Sequence, residues 1–328
     1  MDATYWNLNC NTQRELTEVN DSVYKCTGKL WTDLATFVHL LDAKMHPAFK
    51  EPATDASNPT DPQAFAAISY KFDDFSFKIL TTVLSSCPLK QVRFNNCDLT
   101  ESQLDMLVPL TALEHFSWLQ LDWNPCPAFD RFANLLRESS KLQVLSLRAC
   151  NLSDEAVGQL GQALKNNRAL RVLDLYHNDF QDLRPLAEVI DVNRTLEHLN
   201  LSDNHLTDAS LNVLVGTFGR IVVPDDKLEE YKKKEKELAK LRAQRAKAKT
   251  EGEPPVDELL VDEETKQNIF IKNKAFKSLN LSMNPITSDE CLRALLDLSL
   301  EEFQIILKRV PLTTRDALHA DFPAKVVI

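Results

Sequence analysis

Leu170-Arg171-Val172-Leu173-Asp174-Leu175-Tyr176-His177-Asn178-Asp179-Phe180 and Leu196-Glu197-His198-Leu199-Asn200-Leu201-Ser202-Asp203-Asn204-His205-Leu206 follow one pattern, LxxLxLxxNxL. Three more copies precede them. One runs from Leu142 through Leu145, Leu147, Cys150 and Leu152. Another runs from Phe116 through Leu119, Leu121, Asn124 and Cys126, and another from Leu89 through Val92, Phe94, Cys97 and Leu99. The starts at 89, 116, 142, 170 and 196 step by 27, 26, 28 and 26 residues. A sixth copy, Phe276-x-x-Leu279-x-Leu281-x-x-Asn284-x-Ile286, begins 80 residues after the fifth, so about 53 residues have been inserted.

Each position in the pattern has a physical task. The Leu-x-Leu centre is a short strand whose alternate side chains enter a core. A buried Asn after it satisfies backbone groups of neighbouring turns. Cys97 and Cys150 hold that position in two copies, and a buried thiol acts as a small hydrophobe. The remainder of each copy reads as a helix. Ser153 precedes Asp154 and Glu155 as a start, and Ala156, Leu160 and Leu164 follow at helical spacing. These are the features of a leucine-rich repeat. The fold class expected is an α/β leucine-rich repeat solenoid, a horseshoe with concave parallel strands, convex helices and a long charged insert.

Five segments follow. Residues 1–62 form an irregular N-terminal arm with a short helix over Leu30 to Leu41, followed by a polar stretch holding Pro47, Pro52, Pro59 and Pro62. Residues 63–219 hold repeats, beginning with a degenerate one read as Phe65-x-x-Ile68-x-Tyr70. Residues 220–272 are a charged helical insert, 273–298 the final repeat, and 299–328 a C-terminal cap or tail.

The net charge of −10 is unevenly spread. Lys227 to Lys249 holds ten Lys or Arg and four Glu, a local +6 that leaves −16 elsewhere. Glu251 to Glu264 then holds seven acids and no Lys or Arg. So acidic a body argues against nonspecific nucleic-acid binding. No apolar run is long enough for a membrane helix. The start resembles no signal peptide, and seven scattered cysteines suggest a reducing compartment.

Catalytic chemistry finds no support. Six glycines form neither a P-loop nor GxGxxG, and no GxSxG elbow is present. His198 and His205 read as surface histidines rather than metal ligands, and the cysteines, lacking CxxC, as core thiols. No cofactor and no small-molecule substrate are expected. Residues alternating with the core leucines should face a partner protein: Arg93, Trp118, Gln120, Arg148, Asp174, Tyr176 and His198, with Trp123 in a turn beside them. Exposed aromatics mark binding hot spots. The competing reading tucks Trp118 against the preceding repeat. The insert supplies a second candidate surface of Lys232, Lys233, Lys234, Lys236, Lys240, Arg242 and Arg245. It reads as a solvated spacer, a contact for an acidic surface, or a loop.

Tyr70-Lys71-Phe72-Asp73-Asp74 before an apolar helix, and Asn193-Arg194-Thr195-Leu196 leading into Leu199-Asn200-Leu201, resemble the ribonuclease-inhibitor class of repeats. The charged insert follows Val213-Leu214-Val215-Gly216-Thr217-Phe218. The repeat then resumes at Asn273-Lys274-Ala275-Phe276-Lys277-Ser278-Leu279-Asn280-Leu281 with Asn284-Pro285-Ile286-Thr287. That layout resembles the ciliary leucine-rich repeat-containing protein seventy-one family over roughly residues 65–290. The resemblance implies a noncatalytic, protein-binding structural component of the ciliary or flagellar axoneme, with axonemal proteins or tubulin as partners. The alternative is a soluble regulator, either an inhibitor-like binder or a GTPase-activating protein.

Overall fold

The computed structural model describes residues 6–8, 19–20, 22–41, 64–125, 130–247, 257–261, 267–298 and 302–328. The chain divides into two units, Met1–Leu152 and Ser153–Ile328. The proline-rich stretch expected after Leu41 lies outside the described residues.

The first unit contains, in order, β1 (Trp6–Leu8), α1 (Leu30–Leu40), β2 (Ala64–Ile68), β3 (Tyr70–Phe72), α2 (Asp74–Ser86), β4 (Gln91–Asn95), α3 (Glu101–Leu107), β5 (Trp118–Gln120), α4 (Asp130–Asn134) and β6 (Val144–Ser146). Strands β2, β4, β5 and β6 pair in parallel, with Phe65, Val92, Leu119 and Leu145 in one register row. All four are buried. Polar side chains cap the starts of α2 and α3. Asp73 accepts from the Ser76 N–H at 2.8 Å, and Thr100 and Gln103 form a reciprocal capping box at α3.

The first repeat differs in phase from its expected reading. Phe65 and Ala67 point into the core, whereas Ile68 is 59% exposed. The chain leaves β2 at Ser69, which has φ 60° and donates its N–H to the Asn95 carbonyl. Tyr70 then begins β3, which pairs with β1 rather than continuing the ladder. Upstream, α1 buries Leu30, Leu34 and Phe37. Its Asp33 is fully enclosed and accepts from the Thr27, Gly28 and Lys29 N–H groups and the Tyr24 hydroxyl. Burial alone would raise that carboxyl's pKa, but these bonds outweigh it and hold the pKa below the usual value.

The second unit contains α5 (Asp154–Asn166), β7 (Val172–Asp174), α6 (Arg184–Val192), β8 (His198–Asn200), α7 (Asp208–Leu211), β9 (Gly219–Val222), α8 (Leu228–Lys247), β10 (Glu258–Val261), β11 (Asn268–Lys272), β12 (Ser278–Asn280), α9 (Glu290–Leu298), β13 (Gln304–Ile306), α10 (Arg315–Asp321) and β14 (Val326–Val327). Its parallel ladder runs β7-β8-β12-β13-β14. Leu173, Leu199, Leu279, Ile305 and Val326 share one buried row. Leu279 therefore sits directly beside Leu199 although it stands 80 positions later in the chain. Beyond it, Ile305-x-Leu307-x-x-Val310-x-Leu312 continues the ladder where the sequence suggested only a cap or tail. Ser153 stands at the N-cap of α5 without a side-chain bond; Asp154 instead accepts from the Gln181 and Asp182 N–H groups. Helices α5 and α6 meet closely at Gly161, where an added Cβ would stand 3.0 Å from the Pro185 Cβ.

Two asparagine ladders tie the repeats of this unit together. At the strand exit, the Asn204 Oδ1 accepts from the Asn178 N–H and the Asn284 Oδ1 accepts from the Asn204 N–H, both at 3.0 Å. Their amide groups donate back to the Leu175 and Leu201 carbonyls. At the repeat start, the Asn193 side chain donates to the Leu164 and Asn167 carbonyls, and Asn273 donates to those of Ile190 and Asn193. In the first unit, Asn124 serves Cys97, Phe94 and Leu121 in the same manner. The Cys97 and Cys150 thiols donate to the Ala67 and Leu121 carbonyls. Burial pushes the Cys97 thiol up to about 12, so it stays protonated.

The residue before the Asn or Cys position is left-handed in successive repeats: Asn96, Trp123, Ala149, His177, Asp203 and Met283 all have φ between 52° and 62°. That conformation turns the N–H toward the next repeat. Asn96 donates to Asp122 O, Trp123 to Arg148 O, His177 to Ser202 O, Asp203 to Ser282 O and Met283 to Lys308 O, at 2.8–3.0 Å.

The insert is more than the charged helix expected. Strands β9, β11 and β10 form an antiparallel sheet in the order β10-β11-β9. Helix α8 packs on it through Tyr231, whose ring meets Phe270 edge-on at 5.0 Å. Glu235 of α8 accepts from the Leu259 N–H at 3.3 Å, which covers part of the β10 edge. The insert is clamped to its own unit by ion pairs. The Arg194 Nε donates to the Asp257 Oδ1 at 2.9 Å, with Asp257 only 4% exposed, and Lys272 pairs with Asp191. Asp257 also accepts from the Asn273 N–H. Burial lowers the Lys272 pKa.

Candidate functional site

The outward face of the first unit's ladder is built by strand alternation. While Phe65, Val92, Leu119 and Leu145 point inward, Ala66, Arg93, Gln120 and Ser146 form the adjoining outward row. Gln91 and Trp118 share the row before it. Trp118 is 39% exposed and is not tucked away. The Arg93 guanidinium lies over its ring, 5.9 Å from the centroid. With the Gln91 amide turned to suit, its oxygen accepts from the Arg93 Nε and Nη2 at 2.7 Å. Trp123, in its left-handed turn, is 54% exposed, and Arg148 is exposed beside it in the next repeat.

Alternation alone does not predict exposure on this face. Asp122 and Ser146 are buried, although alternation with Leu121 and Leu145 puts them on the outward side of their strands. The Asp122 carboxylate accepts from the Ser146 hydroxyl at 2.6 Å, the Arg148 N–H at 3.2 Å and the Gln120 amide. These short polar side chains bond to one another across the strands and close over the backbone. The spacing Phe65-x-x-Ile68 puts Ile68 in the core, whereas β2 turns it to the surface. The signal that finds it is alignment of Phe65, rather than Ile68, with Val92.

In the second unit the outward positions are part-buried and knitted together. Asp174 accepts from the Asn200 amide at 2.9 Å and the Tyr176 N–H at 3.1 Å. The His198 Nδ1 lies 2.7 Å from the Ser278 hydroxyl. Tyr176 is half-buried and Ser202 buried. On the exit turns, His177 pairs with Asp203 at 2.6 Å and His205 with Asp179 at 3.1 Å. At the strand start, Glu197 receives Lys277 at 2.9 Å and also Arg171. Burial would raise the Glu197 pKa, but these cations hold it below the usual carboxylate value.

Helix α8 divides its lysines between two environments. Lys232 pairs with Glu229 at 2.7 Å, and Lys234 pairs with Glu230 at 3.1 Å while lying 4.9 Å from the Tyr231 ring centroid. Lys233, Lys236 and Lys240 are exposed at helical spacing, on the side opposite Tyr231 and Glu235. The side chains of Arg242 and Arg245 lie outside the described residues.

A cavity of about 530 Å³ is lined by Asp208, Asn212, Ser288, Glu290 and Cys291 among others. Its polar groups are spent on structure. Asp208 accepts from the Thr287 and Ser288 N–H groups, and the Cys291 thiol, raised in pKa by burial and by Glu290 and Asp208, donates to Asn212. No group of three or more His, Cys, Asp or Glu among the described residues could hold a metal ion. No described helix is long and apolar enough to cross a membrane.

The family described as Leucine Rich repeat matches residues 192–214. The chain carries leucine-rich repeats. A stretch of 75 residues is 37% identical to the human NACHT, LRR and PYD domains-containing protein 13, covering 22% of this chain and 7% of that protein. Among solved structures, the chain is similar to an internalin C2 from Listeria monocytogenes, at 15% identity with 94% of each chain covered and a TM-score of 0.42. It is also similar to an internalin F of the same organism, at 15% identity with 81% of this chain and 73% of that one covered and a TM-score of 0.35.

Proposed function

We propose that the chain is a noncatalytic scaffold that holds other proteins together in the axoneme of a cilium or flagellum. Leucine-rich repeats suit a binding scaffold, because stacked strands present an extended surface whose outward residues vary without disturbing the core. The observation that carries the reading is the clamped insert. A buried Arg194–Asp257 pair and a small antiparallel sheet hold α8 on the repeats. A mere flexible spacer needs no such attachment. Lys233, Lys236 and Lys240 face away from that attachment and suit an acidic polymer surface such as tubulin. The outward faces of the repeats, including Arg93, Trp118, Gln120, Trp123 and Arg148 in the first unit and Asp174, Tyr176 and His198 in the second, are the proposed contacts for other axonemal proteins. The axonemal placement draws on the position of the insert, which resembles that of the ciliary family named above.

The test is the location of a tagged copy in ciliated cells. It is expected along the axoneme after the membrane is removed with detergent. A copy that washes out with the soluble fraction contradicts the placement. If that soluble copy also changes a partner's GTPase activity, the regulator reading takes over.

A further inference from the structure

We propose that the outward face of the first unit's ladder takes a polypeptide segment of a partner in which apolar side chains are flanked by carboxylates. This rests on the scaffold reading and names the chemistry of one partner.

Three large apolar side chains stand exposed on this face: Ile68 at 59%, Trp118 at 39% and Trp123 at 54%. They lie on or just beyond β2 and β5, while Ala64 and Ala66 give β2 a low surface in the outward rows that contain Trp118 and Arg93. Strand β4 lies between that strip and the indole, so an apolar side chain seated on the strip has Gln91 and Arg93 as its neighbours and Trp118 one strand further on; rigid aromatics anchor contacts at small entropic cost. The charge of the face sets the rest. Residues 1–152 hold thirteen Lys or Arg against eighteen Asp or Glu. Yet, among the described residues, the charged side chains displayed on this face are the part-buried Arg93 and the exposed Arg148. Among the described residues of these strand rows the carboxylate is Asp122, which is 4% exposed and already accepts from Ser146, the Arg148 N–H and Gln120. The described part of this face thus displays positive charge on a unit that is acidic as a whole. Arg93 is pre-set there by the Trp118 ring and the Gln91 oxygen, so less freedom is lost when a carboxylate approaches. Indole and guanidinium surfaces also stack nucleic-acid bases. The net acidity of the unit opposes a polyphosphate, which needs many cations along its path, whereas a short peptide needs one or two.

The experiment is a selection from a random displayed-peptide library on the immobilised full chain, followed by affinity measurement with the strongest synthetic peptide. The selected sequences should pair apolar residues with Asp or Glu. Binding should weaken about tenfold or more in Trp118→Ala and in Arg93→Gln. It should also weaken as salt rises. Trp118 is 39% exposed and Arg93 part-buried, so urea unfolding of each variant checks that it stays folded, and the exposed Arg148→Gln provides a further variant on the same face. Failure to select any peptide, selection of basic or uncharged peptides, unchanged affinity in folded variants, or tighter binding of a single-stranded oligonucleotide each overturns the proposal. A chain that assembles into axonemes yet fails here loses this proposal alone; one that binds the peptides but stays soluble loses the axonemal placement alone.

Discussion

Single residues at the strand exits carry an energetic conflict. The ladder needs a left-handed residue before each Asn or Cys, so that its N–H reaches the next repeat. Asn96 and Asp203 tolerate that conformation well, but Ala149 does so only at a cost of about 1–2 kcal/mol for an L side chain. Glycine removes the clash while losing up to about 1 kcal/mol through its freer unfolded chain. Ala149→Gly is therefore expected to raise stability slightly, by at most about 1 kcal/mol in urea unfolding. A marked loss would mean that the Ala149 Cβ makes a contact of its own.

Asp33 gives the matching prediction in pH. Its folded pKa is depressed, because the bonds it accepts outweigh its burial. A depressed carboxyl contributes stability above its unfolded pKa of about 3.9, and that contribution is lost as pH falls through the lower folded value. Asp33→Asn should cost about 1–3 kcal/mol near neutral pH. The gap between parent and variant should narrow below about pH 4. Urea midpoints measured at several pH values check this; a gap that widens toward acid contradicts the assigned ionised state.

At the scale of elements, the insert is held to the repeats by a small number of buried polar contacts. Replacing Arg194 with Met leaves the Asp257 carboxylate enclosed with, among the described residues, the Asn273 N–H, and removal of one partner of a buried pair typically costs about 3–5 kcal/mol. The loss should fall on the insert. Hydrogen exchange is expected to speed up across 219–247 and 267–272, while the β7 and β8 strands stay protected. Equal loss in β7 and β8 would make the insert part of the repeat core.

The same elements show what could be read from sequence. Leu173, Leu199 and Leu279 were legible because each fixes a strand locally, by its own spacing. The sheet of the insert was not. Strand β9 pairs with β11 across some fifty residues, and nothing in Gly219-Arg220-Ile221-Val222 announces a distant partner. Ile305 and Leu307 escaped notice because Val310 stands where the pattern wants Asn and Glu302 where it wants Leu. On the proposed contact face, Trp118 and Arg93 followed from alternation, but the burial of Asp122 depended on Ser146 and Arg148 of the next repeat.

For the whole molecule, the governing fact is the segregation of charge. Most of a +6 segment, Leu228–Lys247 of Lys227–Lys249, is built as one helix, anchored through Arg194 and Asp257, on a chain whose remainder carries −16. Solvation of a helix accounts for lysines paired with their own glutamates, as Lys232 and Lys234 are. It does not require an outward row of Lys233, Lys236 and Lys240. Contact of that row with an acidic filament depends on charges in solvent, and such attraction is screened over about 8–10 Å at physiological ionic strength. The most direct measurement is therefore a salt-extraction series on isolated axonemes, comparing the parent with a chain carrying Lys233→Gln, Lys236→Gln and Lys240→Gln. The parent is expected to remain bound to higher salt than the variant, with both chains equally stable in solution. Equal occupancy and equal salt resistance of the two chains would contradict the account, leaving α8 as a spacer without a partner.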